Sequence, residues 1–183
     1  MARYYRYRKY SRRYRRRGTW SSNLKNFLGS QSASPNSQYI IYQNLCQNPE
    51  STDITVSQKY TIKNVNCSVQ LNAPSSTSVQ YLDSFQAYIM FVPQGYIPTG
   101  TPSAYGNLPF DHPEWILAHK FIGQVLEPQE NNKPFRITSR LARKLDSGDR
   151  IVLIILGRNT APLTGSSYQI DYQGLVKFNT KAN

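Results

Sequence analysis

From Ser37 onward this chain of 183 residues offers only short runs of β-branched and aromatic residues, each soon closed by Pro, Gly, Asn, Asp or Ser. Such runs read as strands, because branched and aromatic side chains fit a pleated surface while the closing residues favour turns. Seven runs qualify: Gln38 to Cys46, Ile54 to Leu71, Val79 to Val92, Trp115 to Leu126, Pro134 to Leu145, Arg150 to Gly157 and Tyr168 to Phe178. A polar break at Asn64 to Asn66 splits the second, which predicts eight strands. No helical period intervenes, so the fold class is all-β, a sandwich or a barrel.

Alternation says which faces are buried. Tyr168, Ile170, Tyr172, Val176 and Phe178 share one face, and Gln169, Asp171, Gln173, Lys177 and Asn179 share the other, so one side is core and one is wet. Phe85, Ala87, Ile89 and Phe91 make a similar stripe, whereas Ile151 to Leu156 is apolar throughout and predicts a strand covered on both faces. Gly95 to Pro113, with Pro98, Pro102 and Pro109, reads as a long loop, as does Glu127 to Lys133. The Asp111-His112-Pro113-Glu114 sequence resembles a capping box, so a short helix from Trp115 to His119 competes there with a strand. Asp146-Ser147-Gly148-Asp149 reads as a tight turn with Gly148 at positive φ.

Charge is concentrated elsewhere. Met1 to Arg17 carries nine cations and no acid, which is +9 of the net +12, while all ten acids lie after Arg17 against the remaining thirteen cations. Like charges at this density, with little aliphatic surface, predict a disordered arm. Arg3, Arg6, Arg8, Arg12, Arg13, Arg15, Arg16 and Arg17 outnumber the single Lys9, and guanidinium forks bind phosphate bidentately. Tyr4, Tyr5, Tyr7, Tyr10 and Tyr14 interleave them and offer rings on which unpaired bases stack. The pattern therefore points to single-stranded nucleic acid. Arg12 to Arg17 also satisfies a basic nuclear-import signal, which makes host import machinery a second partner class.

The arm leads into a Ser-, Asn-, Gln- and Gly-rich stretch, residues 18–37, read as a linker. Within it Trp20, Leu24, Phe27 and Leu28 have helical spacing, with Ser21 or Ser22 as cap and Gly29 as stop, so a two-turn helix and a flexible tether are both open. Residues 38–183 then form one β-domain. No apolar run approaches the roughly 18 residues of a membrane span, which predicts no membrane insertion. Cys46 and Cys67, in a chain without a secretory signal pattern, are expected as free thiols.

Catalytic patterns are missing. His112 and His119 have no ligand-spaced partner, and Asp111 and Glu114 beside His112 read as loop polarity, so neither a catalytic residue, a metal site nor a cofactor is expected. A second basic feature lies in Pro134 to Leu145, where Arg136, Arg140 and Lys144 share one face by parity; on the side from which the arm emerges they would continue its phosphate-binding surface, and pointing outward they would be a solvated face.

These features together resemble the capsid proteins of small circular, Rep-encoding single-stranded DNA viruses of the circovirus-like group. The opening MARYYRYRKYSRRYRRR resembles their arms, VQYLDSFQAYIMFVPQGYIPTG with LPFDHPEWILAHKFIG a central strand and loop, and PFRITSRLARKLDSGDRIVLIILGRN with SYQIDYQGLVKFN the last strands. The resemblance implies a single eight-stranded jelly-roll β-sandwich, sixty copies closing into a T=1 icosahedral virion, a single-stranded DNA genome bound inside by the arm, and assembly in the host nucleus. A cellular single-stranded nucleic-acid- or rRNA-binding β-barrel module is the alternative.

Overall fold

The computed structural model describes residues 19–34, 37–48, 59–73, 84–96, 103–123, 132–158 and 167–182. In chain order the elements are β1 (Ser21–Ala33), β2 (Gln38–Gln47), β3 (Tyr60–Asn72), β4 (Phe85–Val92), α1 (Ser103–Asp111), a 3-10 turn (Pro113–Trp115), β5 (Ile116–Ile122), β6 (Asn132–Ser139), β7 (Arg143–Leu145), β8 (Arg150–Arg158) and β9 (Tyr168–Ala182). They form two antiparallel sheets, one ordered β1-β9-β3-β6 with β7 also on β3, the other β2-β8-β4-β5. β6 and β7 pair with successive parts of β3 along the same side, so each sheet has four lanes. Eight lanes, with the chain passing repeatedly from sheet to sheet, make a jelly-roll sandwich.

The split lane differs from expectation. The polar break at Asn64 to Asn66 does not end a strand: Asn64 takes φ 54, and β3 continues through a register shift between Lys63 and Asn66. Asn tolerates the left-handed region better than most side chains, so a bulge forms where a break between two strands was expected. Opposite that bulge the ladder fails instead, and Arg140 to Ala142 separate β6, which ends at Val65↔Ser139, from β7, which resumes at Ile62↔Arg143.

The stretch read as linker or helix is also different. Residues 21–33 form β1, paired with β9 from Ser21↔Thr180 to Ala33↔Tyr168. Phe27 and Ala33 point into the core while Leu24 and Leu28 point out, an alternation of period two that the helical spacing of the same residues concealed. β9 offers a 15-residue template, and that long-range pairing overrides a local signal too weak to stand alone.

The inner faces meet in one core. Ile41, Phe85, Ile89, Leu153 and Ile155 from one sheet pack against Val65, Val69, Phe135, Ile170 and Val176 from the other. Phe85 and Phe135 cross between the sheets edge to face at 5.3 Å. Strand glycines admit rings: Phe27 lies over its cross-strand partner Gly174, Tyr39 over Gly157, and Tyr172 over Gly29, and a Cβ at any of the three would collide with the ring. Both thiols are free, and burial pushes Cys67 up to about 12 and Cys46 to about 11.

β8 is covered on both faces, as its unbroken apolar run predicts. Its alternate residues Val152 and Ile154 join Tyr88, Met90 and Val92 in a second cluster closed by Leu108 of α1. The stretch read as a long loop thus contains a helix. Gly106 and Pro109 give α1 poor intrinsic propensity, but a Cβ at Gly106 would stand 2.7 Å from Ile40 Cδ1, so glycine is what lets the helix lie on β2. Pro109, expected in an open loop, is buried. The capping box does not form; His112 caps the 3-10 turn without a side-chain bond, and β5 begins at Ile116. The Asp146–Asp149 turn has Gly148 at φ 82, and Asp149 accepts from the Gln94 amide at 2.9 Å and the Asp146 amide at 2.8 Å.

Candidate nucleic-acid interface

Residues 1–18 lie outside the described residues, and with them Arg3, Arg6, Arg8, Lys9, Arg12, Arg13, Arg15, Arg16, Arg17 and the five arm tyrosines. What the structure gives is the place where the arm joins the domain. Trp20 precedes β1, and the Lys63 ammonium sits 3.8 Å above its ring. The opposing charge-quadrupole geometry is worth about 0.5–1 kcal/mol at an exposed site.

Around that point the outer face of the β1-β9-β3-β6 sheet is basic. Lys181 and Lys144 flank Thr61 from either side, Lys63 is opposite Asn179, and Lys177 lies between Leu24 and Asn66. Residues directly opposite in a ladder share a face. Further along, Arg136 stands opposite Ser68 and donates through Nε to Asn66 Oδ1 at 2.6 Å. Among the described residues none of these five cations is paired with a carboxylate; Asp146, just after β7, is taken up by Lys59 at 3.1 Å, and Asp171 is at the far end of the face opposite Asn72. The field therefore rises toward the arm.

Of the three cations grouped by parity, Arg136 and Lys144 do share this face. Arg140 does not belong to the ladder, since it opens the interruption between β6 and β7. Sequence reasoning missed Lys63, Lys177 and Lys181 as site residues. Lys177 was legible as outward-facing from the alternation of β9, but its grouping with Lys63 and Lys144 depends on register between strands distant in sequence.

Beside the cations runs a row of neutral side chains. Leu28 is 83% and Leu175 40% exposed. Gln173 donates to Gln70 at 3.1 Å, and Gln70 in turn to Asn72 at 3.3 Å.

The histidines sit apart from this face. His112 stacks on Trp115 at 3.8 Å and contacts Glu114 at 3.1 Å; a backbone hydrogen bond to the Glu114 carboxyl, and then the His112 contact, hold that carboxyl below its usual range. His119 stacks on Tyr88 at 4.6 Å. Among the described residues no three His, Cys, Asp or Glu side chains gather as a metal site would require.

No protein-family model and no curated protein matches this sequence. Among solved structures the chain is similar to maize chlorotic mottle virus, at 13% identity over 91% of this chain and 94% of that one with a TM-score of 0.36. It is similar to tomato aspermy virus at 10% identity, 85% and 76% coverage and TM-score 0.36. A bacterial lipoprotein from Bacteroides thetaiotaomicron matches at the same level, with 13% identity, 87% and 84% coverage and TM-score 0.35. Likenesses this distant do not separate a virus coat from a lipoprotein. Function is read from the chain's own residues.

Proposed function

We propose that the protein is a viral coat protein whose jelly-roll domains self-associate into a closed icosahedral shell and whose basic arm packages single-stranded DNA. The observation that carries this reading is continuity of charge: the nine-cation arm joins the domain at Trp20, where Lys63, Lys144, Lys177 and Lys181 gather on the outer sheet face. A polyanion bound by the arm has a second cationic surface waiting where the arm ends. The five arm tyrosines favour unpaired bases over duplex. The sixty-copy T=1 shell, the circular genome and assembly in the host nucleus follow from the resemblance to circovirus-like capsid proteins, with Arg12 to Arg17 as the import signal. No catalytic step and no cofactor belong to this role.

A cellular strand-binding module would display aromatic rings on a strand face beside its cations. Among the described residues this face presents leucines and amides, which hold a base less strongly than a ring would, and the ring at its border, Trp20, has Lys63 above one side while staying 39% exposed.

Negative-stain microscopy and salt-dependent filter binding test the proposal together. Closed shells of uniform diameter are expected, and a protein that stays monomeric while binding single strands would move the reading to the cellular module. Engagement of the arm alone gives a slope of log affinity against log salt of about −6, and full engagement of the four lysines of the face adds about −3 more. Changing Arg12, Arg13, Arg15, Arg16 and Arg17 to Gln should remove about 3.5 from the slope, equally for all sequences, because phosphate carries no base identity.

A further inference from the structure

Across the middle of the basic face runs a groove of about 710 Å³, walled by Leu28 and Leu175 on one side and Pro134 and Arg136 on the other, with Gln70 and Gln173 between them. It is a shallow depression on the open sheet surface, accessible along its length, rather than an enclosed cavity. The register explains its shape: Leu28, Gln173, Gln70 and Pro134 form one cross-strand row, and Leu175, Ser68 and Arg136 the next. Lys177 is the next outward residue after Leu175, roughly 6.5 Å along the strand.

Something with both charge and apolar surface fits here. A second copy docking face to face would set one cationic patch against another, with no carboxylate partner for Lys63, Lys177 or Lys181 near the groove among the described residues, and like charges juxtaposed at an interface cost several kcal/mol. The arm, with nine cations, meets the same repulsion. An anionic lipid surface would satisfy the lysines, but seating Leu28 and Leu175 in its acyl layer would carry the neighbouring Gln70 and Gln173 amides to a depth where their remaining donors and acceptors find no partners. A single nucleic-acid strand satisfies all three parts: phosphates for the lysines, flat rings for the leucines and Pro134, and base-edge donors and acceptors for the amides and Arg136.

We propose that this groove holds unpaired bases of the packaged strand while its phosphates lie along the lysine cluster beside it. The inference takes its ligand class from the coat-protein reading. It adds a base-contacting site on the folded domain, separate from the arm tyrosines.

The test uses the full chain with the five arm tyrosines changed to Ala, so that arm stacking is removed while arm charge stays. Two probes are compared: an oligo-dT strand and an abasic deoxyribose-phosphate strand of equal length. The oligo-dT strand should bind about five-fold tighter, the lower end of what one stacked base is worth on an aromatic ring, since leucine and proline replace the ring here. Adding Leu28→Ser, Leu175→Ser and Gln70→Ala should abolish that preference and leave abasic affinity and salt slope unchanged, with an unaltered melting transition confirming the fold. Equal loss on both probes, or no loss on either, overturns the groove assignment while salt-sensitive binding keeps the coat-protein reading. Absence of any single-strand binding overturns both. If the triple variant instead loses binding to phosphatidylserine vesicles and keeps its preference for dT, the groove is a lipid contact and the proposal falls.

Discussion

The two sheets share an inner core yet treat their outer faces in opposite ways. In the middle of one, β8 alternates Ile151, Leu153 and Ile155 inward with Val152 and Ile154 outward, and the chain folds its own helix over the outward pair. In the middle of the other, β9 alternates Ile170, Val176 and Phe178 inward with Gln173, Leu175 and Lys177 outward, and no element covers them among the described residues. A face left apolar is closed by the molecule itself. A face built of amides, cations and a few leucines is one that the chain keeps open for a charged partner.

One pair of variants puts the largest strain on that contrast. Val152→Asp buries a carboxylate at a position with no exposure, under α1, and should remove the cooperative transition or cost more than about 4 kcal/mol. Leu175→Asp, at the corresponding central strand of the open sheet, should change stability by less than about 1 kcal/mol. Urea unfolding of both variants measures the difference, and comparable losses would mean that the open face is covered in solution.

Glycine substitutions come next. A Cβ at Gly174 meets the Phe27 ring and stands 2.8 Å from the Ser68 carbonyl oxygen, and a Cβ at Gly157 meets Tyr39, which is 2% exposed. Neither ring has room to leave, so each Ala variant should lose about 1–3 kcal/mol. Gly29→Ala meets only Tyr172, whose half-buried ring can swing into solvent, and should lose less than about 1 kcal/mol. Thermal melts of the three rank them, and a Gly29 cost equal to the others would mean that the Tyr172 ring is held as firmly as Phe27 and Tyr39.

Much of this was written into local sequence. The inner stripe of β4 and the two faces of β9 follow from alternation, the double covering of β8 from its unbroken apolar run and the turn at Gly148 from its turn residues, because side-chain period and turn chemistry are local properties. β1 was not legible, since Trp20, Leu24 and Leu28 are compatible with period four and period two alike, and only β9 decides between them. α1 was hidden by Gly106 and Pro109, residues that oppose a helix locally but permit its approach to β2. The basic face was half legible: Arg136 and Lys144 shared a parity, whereas Lys63 and Lys181 reached them through strand pairing that no single segment records.

Cys67 asks whether the open face weakens the core beneath it. Its thiol lies on the inner side of β3, and burial raises it from 9.0 to about 12. An unfolded thiol ionises near 8.5–9, so above that pH the unfolded chain has released a proton that the folded chain still holds. Folding then binds more protons than unfolding, and stability that is complete below about pH 9 falls as pH rises toward 12. The slope is at most about 1.4 kcal/mol per pH unit. Cys67→Ala should be weaker at pH 7 for loss of packing but show a shallower decline between pH 9 and 10.5 in urea titrations. An unchanged decline would show that water reaches this thiol through the open sheet.

The smallest effect concerns the hinge between the arm and that open face. Lys63 over the Trp20 ring is an exposed cation–π contact worth about 0.5–1 kcal/mol. A double-mutant cycle of Trp20→Ala and Lys63→Gln isolates it, because each change removes the contact and the coupling energy excludes what either residue does alone. Coupling of that size should appear in hydrogen exchange at the start of β1, near Ser21 to Asn23, and not at Ala33, since it acts on fraying of the strand end rather than on global unfolding. Adding a single-stranded oligonucleotide should reduce the coupling, because phosphate competes for the Lys63 ammonium and releases the indole. Coupling that persists undiminished at saturating oligonucleotide would place Lys63 outside the bound strand, and the cationic surface would then begin at Lys177 and Lys181 rather than at the root of the arm.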